Sequence, residues 1–175
     1  MEATILVGGR SSRFGSPKTE IRIGNERLLG RTVRIAREAL GTPPRVIGQD
    51  LRPGQGPLGG IETALTGAPG PYMILLACDL PGLSVELLQA LRDAPPADVV
   101  LPVTDRRHPL CARWAISTLA AVSAALDREE RAIQRLLTTV HTHELDATAL
   151  AAAGVDVERA LFNVNSPDDL QRFLA

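Results

Sequence analysis

From Ile5 to Lys18 the chain reads I-L-V-G-G-R-S-S-R-F-G-S-P-K, an apolar run that breaks at two glycines into a stretch carrying Arg10, Arg13 and Lys18. Without a Cβ, Gly8 and Gly9 let successive backbone N–H groups turn toward an anion and offer it partial positive charge. The arginines add full charges as planar forks, and the lysine adds one as a point charge. The chemistry that such a set can do is to hold phosphate. It is not a Walker loop, because Ser16 and Pro17 separate Gly15 from Lys18 where that pattern needs Gly, Lys and Ser/Thr adjacent. Nor does it have the three-glycine spacing of the dinucleotide fingerprint.

A second polar cluster, Asp79-Leu80-Pro81, follows the most apolar run, Tyr72 to Cys78. That run does not alternate, as expected of a central parallel strand covered on both faces. A carboxylate at the carboxyl end of such a strand stands where open α/β sheets bind their ligands, although a simple turn cap also uses Asp. Asp50 lies in a Gly- and Pro-rich loop, Q-D-L-R-P-G-Q-G-P-L, either as a ligand-reading acid or as an ordinary loop residue. Asn163 and Asn165 precede a capped helix and either meet a ligand through neutral amides or only order the helix entry. His108 could approach a phosphate, but a lone histidine reads more readily as a structural or exposed residue. His141 and His143, on one side of a strand with no third ligand near them in sequence, read as surface residues.

Between these clusters strand and helix signals alternate. Glu20 to Leu28 suggests a small hairpin around Gly24-Asn25-Glu26. Leu29, Val33, Ala36 and Leu40 recur at helical spacing over Leu28 to Leu40, and Gly41 with Pro43-Pro44 ends that helix. Arg45 to Ile47 is a short strand and Gly59 to Ala68 a helix, while Ser84 caps a helix reaching about Asp93. Strands at Ala97 to Val103 and Pro109 to Trp114 flank the charged turn Thr104 to Arg107, which predicts an antiparallel insertion at one sheet edge. Ile116 to Leu126 and Arg131 to Thr138 are helical, Val140 to Leu145 is a strand, and Thr148 to Ala153 is weakly helical. Ser166 to Leu174 is a capped helix with Pro167 in its first position. The order predicts one α/β domain over residues 1–175, with no repeat or linker.

With 45% hydrophobic and 22% charged residues and a formal net charge of -1, the composition is that of a soluble globular protein. The near-zero charge and an aromatic fraction of 3% give no case for nucleic acid binding. Cys78 and Cys111 lack metal-type spacing and read as small core residues of a reducing compartment. No apolar run reaches the length of a membrane span, and the amino terminus lacks a signal-peptide pattern, so a cytoplasmic protein without membrane contact is expected.

Five segments, V-G-G-R-S-S-R-F-G-S-P-K, G-P-L-G-G-I, C-D-L-P, H-P-L at His108 to Leu110, and F-N-V-N-S-P-D-D-L, together resemble the molybdenum cofactor guanylyltransferases, often called MobA. They occur in the family's order across nearly the whole chain. The resemblance implies a three-layer Rossmann-like nucleotidyltransferase fold, with a mostly parallel sheet and an antiparallel edge element. It also implies transfer of GMP from GTP, with Mg²⁺, to the terminal phosphate of molybdenum-bearing molybdopterin, releasing pyrophosphate. Leu6, Val7, Gly8, Gly9 and Lys18 fall on the family's nucleotide loop, Asp50 on an acid before its G-P-L loop, Asp79 on its metal site, and Asn163 and Asn165 on a segment associated with the pterin. Cofactor-delivery proteins or molybdoenzymes follow as expected partners.

Physical chemistry fits that assignment. In-line attack on an α-phosphoryl group is catalysed largely by positioning and charge neutralisation, for which Arg13 and Lys18 are suited, while the Asp79 carboxylate suits Mg²⁺. Asp50 could accept from the N1–H and N2–H₂ donors of guanine or contact ribose. Two positions depart from the family pattern: Val7 where an alanine is usual and Pro17 where an aspartate is usual. The span Val46-Ile47-Gly48-Gln49 also runs almost directly into Asp50, as if one strand of the family were missing or merged. A cytidylyltransferase acting on the same pterin, another small-substrate nucleotidyltransferase, and a non-catalytic nucleotide or cofactor carrier are the alternative readings.

Overall fold

The computed structural model describes residues 1–7 and 21–175, so the candidates Gly8, Gly9, Arg13 and Lys18 lie outside the described residues. The strands are β1 (Glu2–Leu6), β2 (Arg22–Ile23), β3 (Glu26–Arg27), β4 (Arg45–Ile47), β5 (Tyr72–Ala77), β6 (Val99–Pro102), β7 (Cys111–Ala115) and β8 (Thr142–Leu145). Six of them form a sheet in the order β4-β1-β5-β7-β6-β8, and β2 with β3 forms a separate antiparallel ribbon, the expected hairpin. Within the large sheet every pairing is parallel except the two made by β7.

The mostly parallel sheet with an antiparallel element is therefore what forms, but β7 lies inside the sheet and not at its rim. All five of its residues are buried, including Trp114. A strand covered on both faces and both edges cannot sit at an exposed margin.

Alternation along the strands divides the interior in two. Ala3, Ile5, Ile74, Leu76 and Val100 face a core completed by α1 (Leu28–Leu40) and α3 (Val85–Asp93). Met73, Leu75, Val99, Leu101, Ala112 and Trp114 face a second core completed by α2 (Gly56–Thr66) and α4 (Leu119–Asp127). Successive strand side chains point to opposite faces, so one unbroken apolar strand supplies both cores. Each fully buried Leu or Ile contributes about 2 kcal/mol. This is a three-layer α/β fold.

Local chemistry sets several boundaries. α2 begins at Gly56, three residues before its predicted start, because Pro57 is accommodated in the first turn where its missing N–H costs nothing. The Ser84 hydroxyl accepts from the Leu87 N–H at 3.3 Å and starts α3 as expected. The helix predicted from Ile116 opens as a 3-10 turn, Ile116–Thr118, before α4, and the one predicted over Arg131 to Thr138 contracts to the single turn α5 (Ile133–Leu136). α6 (Ala147–Ala152) and α8 (Pro167–Leu174) are as expected, and α7 (Val157–Ala160) is an additional turn. Among the described residues no helix is long and apolar enough to cross a membrane.

Candidate active site

Register gathers the candidate residues at one rim of the sheet. Leu6 pairs with Ile47 on one side and Ala77 on the other, and Leu76 pairs with Cys111. The carboxyl ends of β4, β1 and β5 and the start of β7 therefore share an edge. Val7, Gly48 to Asp50, Cys78-Asp79 and His108 to Leu110 all leave from it. Backbone bonds carry the order past the strands: the Val7 N–H donates to the Ile47 carbonyl at 2.9 Å, and the Ala77 N–H to the Leu110 carbonyl at 2.7 Å.

On the α2 side of this rim lie Leu6 and Asp50. A Cβ placed on Gly60 would stand 2.9 Å from Leu6 Cδ1 and 3.5 Å from Asp50 Oδ1, and one on Gly59 would stand 3.7 Å from Asp50 Oδ2. Gly60 is thus what lets the helix start come up against Leu6 without displacing it, while the distances to Asp50 are those of ordinary contact. Burial raises the Asp50 carboxyl above its usual pKa range. The loop carrying it is fixed just past Asp50. The Leu51 N–H donates to Thr63 Oγ1 at 2.9 Å, and Arg52 reaches the buried Glu62 carboxylate at 3.1 Å and Asp127 at 2.5 Å. β4 is one of the two edge strands, and the chain passes from it to the Asp50 loop with no intervening strand, as the short span in the sequence suggests.

Across β5 from this corner is a cleft in two joined parts. The inner part, a cavity of about 210 Å³, is lined by Asp79, His108, Asn163 and Asn165 among others. The outer part, about 740 Å³, shares His108, Asn163 and Asn165 with it and extends to Phe162, Asp169 and Arg172. Asn163-Val164-Asn165 is held there by its backbone: the Val164 N–H donates to the Asp79 carbonyl at 2.9 Å, and the Asn165 N–H to Asp169 Oδ2 at 3.0 Å. Val164 is fully buried. The two asparagines on either side of it, half-buried and exposed, flank that anchor.

His108 lines both parts of the cleft. It is buried, its Nε2 lies 3.0 Å from Thr104 Oγ1, and its backbone N–H donates to the Pro102 carbonyl at 3.0 Å. Desolvation first and the nearby Arg106 charge second lower its pKa, so the neutral ring is favoured. The structural reading of His108 is consistent with this packing, in a position that also shapes the cleft. His143 is on β8 and His141 immediately precedes it, and neither lines the cleft.

The structure thus brings Asp79, His108, Asn163 and Asn165 together, and Leu6 with Asp50 together, in two corners of one rim. Sequence reasoning missed Arg106, which lines both parts of the cleft and donates from Nη2 to Asn163 Oδ1 at 2.7 Å. In the sequence it stands only as part of a charged turn, and its place two residues before H-P-L is the available signal. Asp169, which reads simply as an acid in the first turn of a helix, carries the Asn165 backbone. That contact, with the Ser166 and Arg172 bonds, holds its carboxyl down to about 2.

Comparison with known proteins puts this geometry in context. Residues 3–147 match the MobA-like NTP transferase domain family. The chain is 30% identical over 182 residues to a Pelotomaculum thermopropionicum protein named "Probable molybdenum cofactor guanylyltransferase", covering 95% of this chain and 88% of that one. It is 31% identical over 185 residues to the molybdenum cofactor guanylyltransferase of Xanthomonas euvesicatoria pv. vesicatoria, covering 97% and 92%. Among solved structures, the molybdopterin-guanine dinucleotide biosynthesis protein A of Archaeoglobus fulgidus superimposes with a TM-score of 0.81 at 24% identity, over 99% of this chain and 96% of that one.

Proposed function

The chain belongs to the family of MobA-like NTP transferase domains, and on that premise we propose that it transfers GMP from GTP to the terminal phosphate of molybdenum-bearing molybdopterin. An oxygen of the acceptor phosphate forms a bond to the α-phosphorus of GTP, the bond from that phosphorus to the bridging oxygen breaks, and pyrophosphate leaves with the electron pair. No oxidant or reductant is needed.

The observation that carries this reading is the backbone bond from Val164 to Asp79. It fastens the segment assigned to the acceptor onto the residue assigned to the metal, at the carboxyl end of a central strand where two substrates can meet. On the other side of β1, the Leu6–Asp50 corner suits the nucleotide. The Asp50 carboxylate, raised in pKa by burial, gains most from a partner that brings N–H donors, as the guanine edge does. Arg13 and Lys18, outside the described residues, are assigned to the α-phosphoryl group and the leaving pyrophosphate.

Mg²⁺ fits the donor set at Asp79. It prefers oxygen ligands and is commonly held by one or two carboxylates plus substrate phosphates, and Asp79 lines a cleft together with the neutral amides of Asn163 and Asn165 and the cations Arg106 and Arg107, which leave room for substrate phosphate beside the metal. When bound, the ion offsets charge on the phosphate oxygens. The work of this chain's own residues is to align the two substrates and exclude other geometries.

The test is incubation of the purified protein with molybdopterin and either GTP or CTP, followed by mass analysis of the pterin product and measurement of pyrophosphate. A GMP adduct formed in preference to a CMP adduct, with one pyrophosphate per adduct, is expected. Preference for CMP overturns the guanylyl assignment, and nucleotide binding with no transfer overturns the enzyme in favour of a carrier.

A further inference from the structure

Three arginines, Arg106, Arg107 and Arg172, line the cleft on the acceptor side of Asp79, and they are not equivalent. Arg107 is committed to Glu144, with Nε 2.6 Å from Oε1 and Nη2 2.5 Å from the same oxygen. Arg172 is paired with Asp169. Arg106 has no carboxylate partner among the described residues. Its one described side-chain bond is Nη2 to the neutral Asn163 Oδ1 at 2.7 Å. A guanidinium has five N–H donors in a rigid fork, so a neutral carbonyl leaves both its charge and most of its hydrogen-bonding capacity for something else.

The backbone beneath Arg106 is fixed. The Thr104 N–H donates to the Arg106 carbonyl at 3.0 Å, Val103 bridges Arg107, and Thr104 Oγ1 contacts both Asp105 Oδ1 at 2.8 Å and His108 Nε2 at 3.0 Å. Asp105, the neighbouring acid, is therefore engaged within the turn, and Glu158 borders only the outer cavity. Arg106 alone of the charged groups in that outer cavity also borders the inner one, beside Asp79. Two bonds connect it to Asp79: Arg106 to Asn163, and Val164 to the Asp79 carbonyl. An exposed cation on a rigid turn, steered inward by an amide, is arranged to meet an anion there.

Resting on the transfer reading above, we propose that Arg106 binds the terminal phosphate of the acceptor and holds it beside Asp79 for attack. Its position across β5 from the Leu6–Asp50 corner gives it to the acceptor and not to the nucleotide. The contact also explains why Asn163 presents its carbonyl to the turn: it aims the fork while adding no charge that would compete with phosphate.

The test compares Arg106→Gln and Arg106→Lys with the wild-type protein. Gln can still donate to Asn163 but has no charge, and Lys keeps the charge without the fork. Two readouts are taken: equilibrium dialysis of molybdopterin without nucleotide, and the KM for molybdopterin and for GTP in the transfer assay. Arg106→Gln is expected to weaken molybdopterin binding and raise its KM by roughly 10- to 100-fold, the loss of one charged hydrogen-bonded contact. The GTP KM should stay within about twofold, and Lys should recover part of the loss. Wild-type affinity for molybdopterin in Arg106→Gln, or an equal rise in both KM values, overturns the proposal whether or not transfer occurs. If the wild-type protein binds molybdopterin in an Arg106-dependent way yet transfers no nucleotide, the transfer reading fails and the binding assignment stands. No molybdopterin binding by the wild-type protein overturns both.

Discussion

At the scale of single residues, the proposed site includes two carboxylates in different situations. Asp79 supports Val164 through its backbone carbonyl, so its side chain can be altered without removing that bond. Asp79→Asn should therefore leave the folded structure in place while lowering kcat by roughly 100-fold or more, the scale seen when one preorganised electrostatic group is lost. Unchanged circular dichroism and melting temperature, beside the lost turnover, is the expected result. Asp50 makes the opposite prediction for stability. Its pKa is raised in the folded protein by burial, so the folded state binds the proton more tightly than the unfolded state. The cost of ionising it is absent below the ordinary aspartate range and fully present above the raised value. Asp50→Asn removes that cost. The variant should melt at a higher temperature than wild type at pH 7, and the difference should vanish near pH 3, measured as melting temperature against pH.

At the scale of elements, the D-L-P-G loop is clamped on both sides. Arg31 of α1 donates from Nε to the Pro81 carbonyl at 2.8 Å. On the other side Gly82 lies so close to α7 that a Cβ would stand 1.9 Å from the Arg159 carbonyl oxygen. No side chain fits without moving that backbone, and Arg159 in turn lies over the Phe173 ring of α8 at 4.4 Å. Gly82→Ala should cost about 1–3 kcal/mol, as overpacking does, and lower the melting temperature by roughly 2–10 °C for a chain of this size. Because the displaced segment leads into Asn163, molybdopterin affinity should fall as well. The same segment has an acid limit. The Asp169 pKa is held down to about 2 by the Asn165 N–H, Ser166 and Arg172, so its stabilising contribution is complete above the ordinary aspartate range and is lost as pH falls from about 4 toward 2. Asp169→Asn should lack that part of the acid transition in a pH titration of stability.

Element scale is also where the sequence was most and least legible. The helix at Leu28 to Leu40, the buried strand ending before Asp79, and the capped final helix were readable because period, cap residue and breaker agree locally. The interior place of β7 was not, since neighbours in a sheet are set by contacts distant in sequence; the lack of alternation over Cys111 to Trp114 was the only local trace. The site showed the same division. Asp79, Asn163 and Asn165 could be singled out by type and position, whereas Arg106 gains its meaning only from Asn163, 57 residues away.

At the scale of the molecule, the two corners of the site rest on different cores. Leu6, Ile47, Leu58 and Ile61, which support the Asp50 corner, pack with α2 and α4. Leu80, Leu83, Ala160 and Leu161, which support the Asp79–Val164 corner, pack with α1 and α3. Only the sheet is common to both. Each substrate should therefore stabilise the fold through its own half. At 100 times its dissociation constant, a ligand that binds only the folded state adds about 2.7 kcal/mol, or roughly 5–10 °C here. GTP with Mg²⁺ should raise the melting temperature of wild type and of Gly82→Ala alike, whereas molybdopterin should protect wild type much more than Gly82→Ala. Asp50→Asn should reverse the pattern, keeping the molybdopterin shift and losing the advantage of GTP over CTP. Equal loss of both ligand shifts in either variant would mean that the corners are coupled through the sheet and do not stand on separate cores.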